Sequence, residues 1–168
     1  MEANQQKILI GVGSVVGVLV LYFILAWSMS FWPFGIDEQK VYNEDLKISF
    51  TDDNSEVTSI YAKTTEAERK KELQDRVTNK VDDFVKAAKK LQPNTEPKEE
   101  DKKTSFNTAK TALAEIDKNQ KSLKEHADDF FAPTKETASK ATLKAEIKAI
   151  IDNCNTFRTQ IKIVLGLK

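Results

Sequence analysis

A single cysteine, Cys154, leaves the 168-residue chain without any possible intramolecular disulfide, so a folded domain has to be held by core packing alone. His126 is likewise the lone histidine. A zinc site needs three or four His, Cys or carboxylate ligands, and a haem needs an axial ligand with its pocket, so these chemistries have little to build on. Gly-x-Ser-x-Gly is missing, which removes the nucleophile elbow of a Ser/His/Asp hydrolase. The glycine-rich loops that cradle phosphates are missing too. No cofactor, metal site or catalytic set is expected, and the chain reads as a non-enzyme.

Surplus charge of either sign is also lacking: 26 basic residues balance 26 acidic ones. Nucleic-acid backbones demand a clustered excess of Lys and Arg, and pairs such as Lys70 with Lys71 or Lys89 with Lys90 sit among acids, so no nucleic-acid partner is expected. The carboxylate pairs Asp82 with Asp83, Glu99 with Glu100 and Asp128 with Asp129 lack the glycine and ligand spacing of a calcium loop, as does TDDNSE. They read as solvated faces and turns. Asn-x-Ser/Thr does not occur either, which favours a bacterial envelope over a eukaryotic secretory route.

What the chain does contain is one long uncharged run. Between Lys7 and Asp37 no residue is charged, and about 20 apolar residues in a helix suffice to cross a bilayer. The run predicts a single transmembrane helix that uses residues 8–32 to meet the lipid bilayer, within an N-terminal unit of 1–35. Trp27, Phe31, Trp32 and Phe34 suit the headgroup-level aromatic belt of a retained anchor. The alternative is a leader cut near Ala26-Trp27-Ser28, although leaders have shorter apolar regions. Gly13 and Gly17 form Gly-x-x-x-Gly, a pattern that lets two helices approach closely in lipid, and so point to packing against another spanning helix. The run holds no ionisable group that would serve an ion or proton path.

Beyond the run, residues 36–63 predict a membrane-proximal stalk with a short β-hairpin, because Leu46, Ile48 and Phe50 alternate with polar residues and EVTSIYA is β-branched. From 64 to 168 the pattern turns helical. Thr65 and Glu68 make a capping box, followed by Leu73, Val77, Val81, Phe84, Ala88 and Leu91 at spacings of three and four, which predicts a helix over 65–92. PNTEPKEEDKK reads as a linker. A second helix, starting near Thr104 or Ser105 and running over 104–132, carries Phe106, Ala109, Leu113, Ile116, Gln120, Leu123, Ala127 and Phe130. A third, over 134–165, carries Leu143, Ile147, Ile150, Cys154, Phe157, Ile161 and Val164, and Gly166 ends it. The fold predicted is all-α: one anchor, a stalk, then an up-down-up three-helix bundle.

Function follows from architecture more than from any motif. The expectation is a single-pass, membrane-anchored accessory subunit whose extracytoplasmic bundle docks on other membrane-protein subunits or on its own copy. A bacterial inner membrane with the C-terminal domain in the periplasm suits the short leading tail. A ligand-sensing bundle that signals through a partner and a phage-type lysis protein are the alternatives.

Overall fold

The computed structural model describes residues 36–47, 50, 52–131 and 136–168, the side chains of 136–138 excepted. The anchor residues Gly13, Gly17, Trp27, Phe31, Trp32 and Phe34 lie outside the described residues, as does Ile48. Among the described residues no helix is long and apolar enough to cross a membrane.

The chain separates into Met1–Asp37 and a compact unit, Glu38–Lys168. The second is all-helical among its described residues: α1 (Glu38–Lys40) running into a π-turn (Val41–Asp45), α2 (Asp53–Tyr61), α3 (Glu66–Leu73), a π-segment (Gln74–Thr78), α4 (Asn79–Leu91), α5 (Glu100–Glu125), α6 (Ala127–Phe130) and α7 (Glu136–Leu165). α3, the π-segment and α4 form one unbroken rod. That rod, α5 and α7 are the three long helices, and α5 lies antiparallel to α7 along most of its length.

Each start has a local cause. Thr65 accepts from the Glu68 backbone N–H at 3.2 Å while Glu68 accepts from the Thr65 N–H at 3.1 Å, which completes the capping box of α3. At the far end of α7, Gly166 takes φ +66°, the Leu167 N–H reaches the Lys162 carbonyl at 3.1 Å and the Gly166 N–H reaches Ile163 at 3.2 Å. This is a Schellman motif, and it needs the left-handed conformation that glycine adopts without strain.

The apolar seams meet in one core. Val77, Val81, Ile116, Leu123, Leu143, Ile147, Ile150, Cys154, Phe157 and Ile161 are wholly enclosed, and Phe84, Leu91, Phe106, Leu113 and Phe130 are nearly so. Phe84 meets Phe157 edge to face at 5.9 Å, joining α4 to α7.

Three expectations are corrected. The stalk and hairpin expected over 36–63 are not found in the described residues from Glu38 onward: there is no strand among them, and Leu46, Val57 and Ile60 are as buried as any residue of the long helices. Asp52 caps α2 by accepting from the Ser55 N–H at 2.8 Å, and Val57, Ile60 and Tyr61 then fall on one helical face. A helix of this length gains its stability from what it packs on. Next, α5 starts at Glu100, four residues before the expected Thr104. Glu100 and Asp101 fill its first turn, where the helix dipole favours acids, so part of the supposed linker is helix. Finally, the helix expected over 104–132 stops at Glu125. Continuing it would carry Asp128 and Asp129 into a C-terminal turn that the dipole disfavours, whereas the break at His126 puts them in the first turn of α6.

Candidate functional site

Three places bring polar chemistry together, and each is built by a different local device. The first lies at the widened turn of the α3–α4 rod. The seam there runs Leu73, Val77, Val81, two successive steps of four, and a π-turn absorbs the extra residue. The Asn79 N–H reaches back to the Gln74 carbonyl, and the Thr78 carbonyl receives the side-chain N–H of Gln120 from α5 at 3.3 Å. Gln120 is buried, and its Nε2 also lies 2.6 Å from Asp82 Oδ1. Lys124 approaches the same carboxylate at 3.3 Å. On the rod's other side Arg76 donates to Glu56 Oε2 at 2.9 Å, and Glu56 is only 1% exposed. The same guanidinium lies 3.5 Å from Glu72. Buried charge is thus paired and buried amide is bonded, the arrangement of a structural network. A small recess of about 280 Å³ beside it is floored by Leu73 and Leu123. Lys70 on its rim is already engaged by Asp128 and Glu66, which raise its pKa.

The second place is the break after α5. Ser122 Oγ donates to Glu146 Oε1 at 3.0 Å and lies 3.2 Å from His126 Nδ1. A serine, a histidine and a glutamate therefore converge, which sequence separation hid. Their order is wrong for nucleophilic catalysis: the acid contacts the serine instead of orienting the histidine, and the serine hydroxyl hydrogen is directed to the carboxylate. His126 itself is exposed. Cys154 offers no nucleophile either, because burial pushes its thiol up to about 12 and keeps it protonated. No group of three His, Cys, Asp or Glu among the described residues could hold a metal ion.

The third place is an open groove of about 470 Å³ between α5 and α7. Thr104, Asn107, Thr108 and Thr111 line it from one side, with Asn153 and Thr156 from the other. The i, i+3, i+4, i+7 spacing puts the α5 residues on one face. Three of these side chains donate to their own helices. Thr108 Oγ1 donates to the Thr104 carbonyl, Thr156 Oγ1 to Asp152 and Asn153 Nδ2 to Ala149, each at 2.9 Å. Asn107 Nδ2 donates instead to Glu96 Oε1 at 2.9 Å, so the groove lining mixes methyl groups with hydroxyls and amides and holds no charged side chain, in a chain where 31% of residues are charged.

The carboxylate pairs noted in the sequence are engaged by cations: Asp83 by Lys86, Glu99 by Lys102 and Asp128 by Lys70. Sequence reasoning missed Glu56 and Arg76, which 20 residues separate, and only the polar Gln120 inside an apolar seam signalled the network. No protein family, curated protein or solved structure matches the chain. The fold and surface define an all-helical bundle, and its role has to be argued from physical grounds.

Proposed function

We propose that the protein is a single-pass membrane subunit, anchored by residues 8–32, whose helical domain docks on a neighbouring subunit outside the cytoplasm of a bacterial cell. The α5–α7 groove supports this reading most directly. Ordinary bundle surfaces alternate Lys and Glu, and this one does so elsewhere. Along the groove the side chains are short and uncharged, and Thr108, Asn153 and Thr156 donate to their own helices, so a partner helix meets no charged lining to desolvate and can approach closely. The occupant this suits is a helix that presents small or apolar side chains. The uncharged run between Lys7 and Asp37 supplies the tether that holds such a subunit next to its neighbour, and raises the effective concentration of the docking face.

The test is native mass spectrometry of the full chain purified in mild detergent, alongside Thr108→Arg. An exposed groove residue, Thr108 can be replaced without disturbing the core. A stoichiometric complex that the wild type keeps and the variant loses, with thermal melting unchanged, supports the docking face. A complex that persists in the variant, or a monomer in both, overturns it.

A further inference from the structure

α7 carries two seams, and the core of the bundle occupies one of them. The enclosed seam runs from Leu143 to Val164. A second recurs at the same spacings of three and four, from Thr142 through Asn153 to Ile163, and no position on it is charged. Asn153 and Thr156, in its middle, line the groove against α5, while Thr142, Ala145 and Ile163 toward its ends are exposed, Ile163 by 46%. A second uncharged seam of this length is the pattern of a helix with one more neighbour than its own bundle supplies.

The residues on the seam indicate which neighbour. Shorter side chains stand before Asn153 and longer ones after it. Laid antiparallel on its own copy with Asn153 at the centre, the seam sets Ala149 opposite Thr156, Ala145 opposite Gln160 and Thr142 opposite Ile163, so that each shorter side chain meets a longer one. Asn153 then meets its own copy, and a polar residue at a single seam position is a device that fixes register between paired helices. The charge beside this centre is Asp152, which Lys148 pairs within α7; in the antiparallel arrangement two such pairs come together with their signs alternating.

We infer that the occupant of the α5–α7 face is a second copy of this chain, related by a two-fold axis, with α7 antiparallel on α7 and α5 on α5 so that the four helices enclose the groove. The inference rests on the docking reading above and names its partner. Its size suits a specific contact: a seam about 30 Å long on a helix pair about 18 Å wide covers roughly 1,000 Å² summed over both copies, which is about what a specific interface has to clear.

Two variants of the full chain in mild detergent, Ala145→Cys and Gln160→Cys, test the register by oxidation to a disulfide. Cys154 is wholly enclosed and stays out of the reaction. A disulfide needs Cα atoms within about 7 Å, and in the inferred dimer position 145 of one copy meets position 160 of the other, while like positions lie about 22 Å apart. The two variants expressed together are expected to cross-link severalfold more than either alone. Equal cross-linking in the pair and in the single variants overturns the antiparallel copy. So does its absence from the pair when native mass spectrometry still shows a wild-type complex that Thr108→Arg loses, and in that case the docking reading stands. A monomer throughout overturns both.

Discussion

Gln120 occupies a seam position where an apolar side chain is the rule, and the widened turn on the neighbouring rod is the reason it is tolerated. The Thr78 carbonyl ends the π-segment, and Gln120 supplies an N–H to it at 3.3 Å and to Asp82 Oδ1 at 2.6 Å. Replacing Gln120 with Leu preserves volume and removes the donor that Thr78 and Asp82 share, so stability is expected to fall by about 1 to 3 kcal/mol, read as a shift in the urea midpoint. The Glu56 and Arg76 pair makes a second residue-scale case. Arg76→Ala leaves Glu56 buried without that cation, and because the Arg76 side chain is 35% exposed the cost is expected near 2 to 3 kcal/mol, below the figure for a wholly buried pair. Adding Glu56→Gln should recover part of that loss. A double-mutant cycle showing simple additivity would remove the coupling on which this rests.

At the scale of elements, two carboxylates hold helix starts by accepting backbone N–H groups. Hydrogen bonds from Ser55 hold the Asp52 carboxyl below its ordinary range, and those from Thr65 do the same for Glu68. A carboxyl whose pKa is lower folded than unfolded stabilises the fold above the unfolded value, near 4, and loses that contribution as pH falls through the folded value. Thermal melting of the wild type is therefore expected to drop more steeply between about pH 5 and pH 3 than that of Asp52→Asn or Glu68→Gln, and equal slopes would remove the caps as the cause. The same elements show what the sequence made legible. The long helices were readable because apolar residues recur at three and four over many turns, and burial then follows from periodicity alone. α2 was not. Its Val57, Thr58 and Ile60 are β-branched, a local preference for strand, and the helix that forms instead is paid for by Val57 and Ile60 in the core, a contact no local pattern encodes. The signal available was Asp52 three residues before Ser55, a capping spacing ahead of a Val–Ile–Tyr face. The candidate groove was legible only as threonines and asparagines at helical spacing. That Thr108, Asn153 and Thr156 turn back to their own helices is a matter of rotamers, and that α5 faces α7 is a matter of packing.

At the scale of the whole molecule, the correction to residues 36–63 changes what should unfold with what. Were that segment a stalk, damage within it would leave the long helices intact. Val57 is instead 2% exposed in the same core as Ile147 and Cys154, and Tyr61 ties α2 to the far side of the bundle by donating to the Phe130 carbonyl at 2.8 Å. One cooperative unit from Glu38 to Lys168 is the consequence. Cys154 reports on it without any added label, since a wholly buried, protonated thiol reacts only when the core opens. Leu113→Asp or Ile147→Asp places an unpaired charge in that core at a cost of several kcal/mol against a marginal total, so Cys154 is expected to react with a thiol reagent at nearly the unfolded rate. Val57→Asp decides between the two architectures. In a cooperative unit it exposes Cys154 much as the two long-helix substitutions do, although Val57 lies some hundred residues away in sequence. Protection of Cys154 equal to wild type in Val57→Asp, with the other two variants reactive, would mean that the N-terminal helices melt alone and that the long helices suffice as a domain.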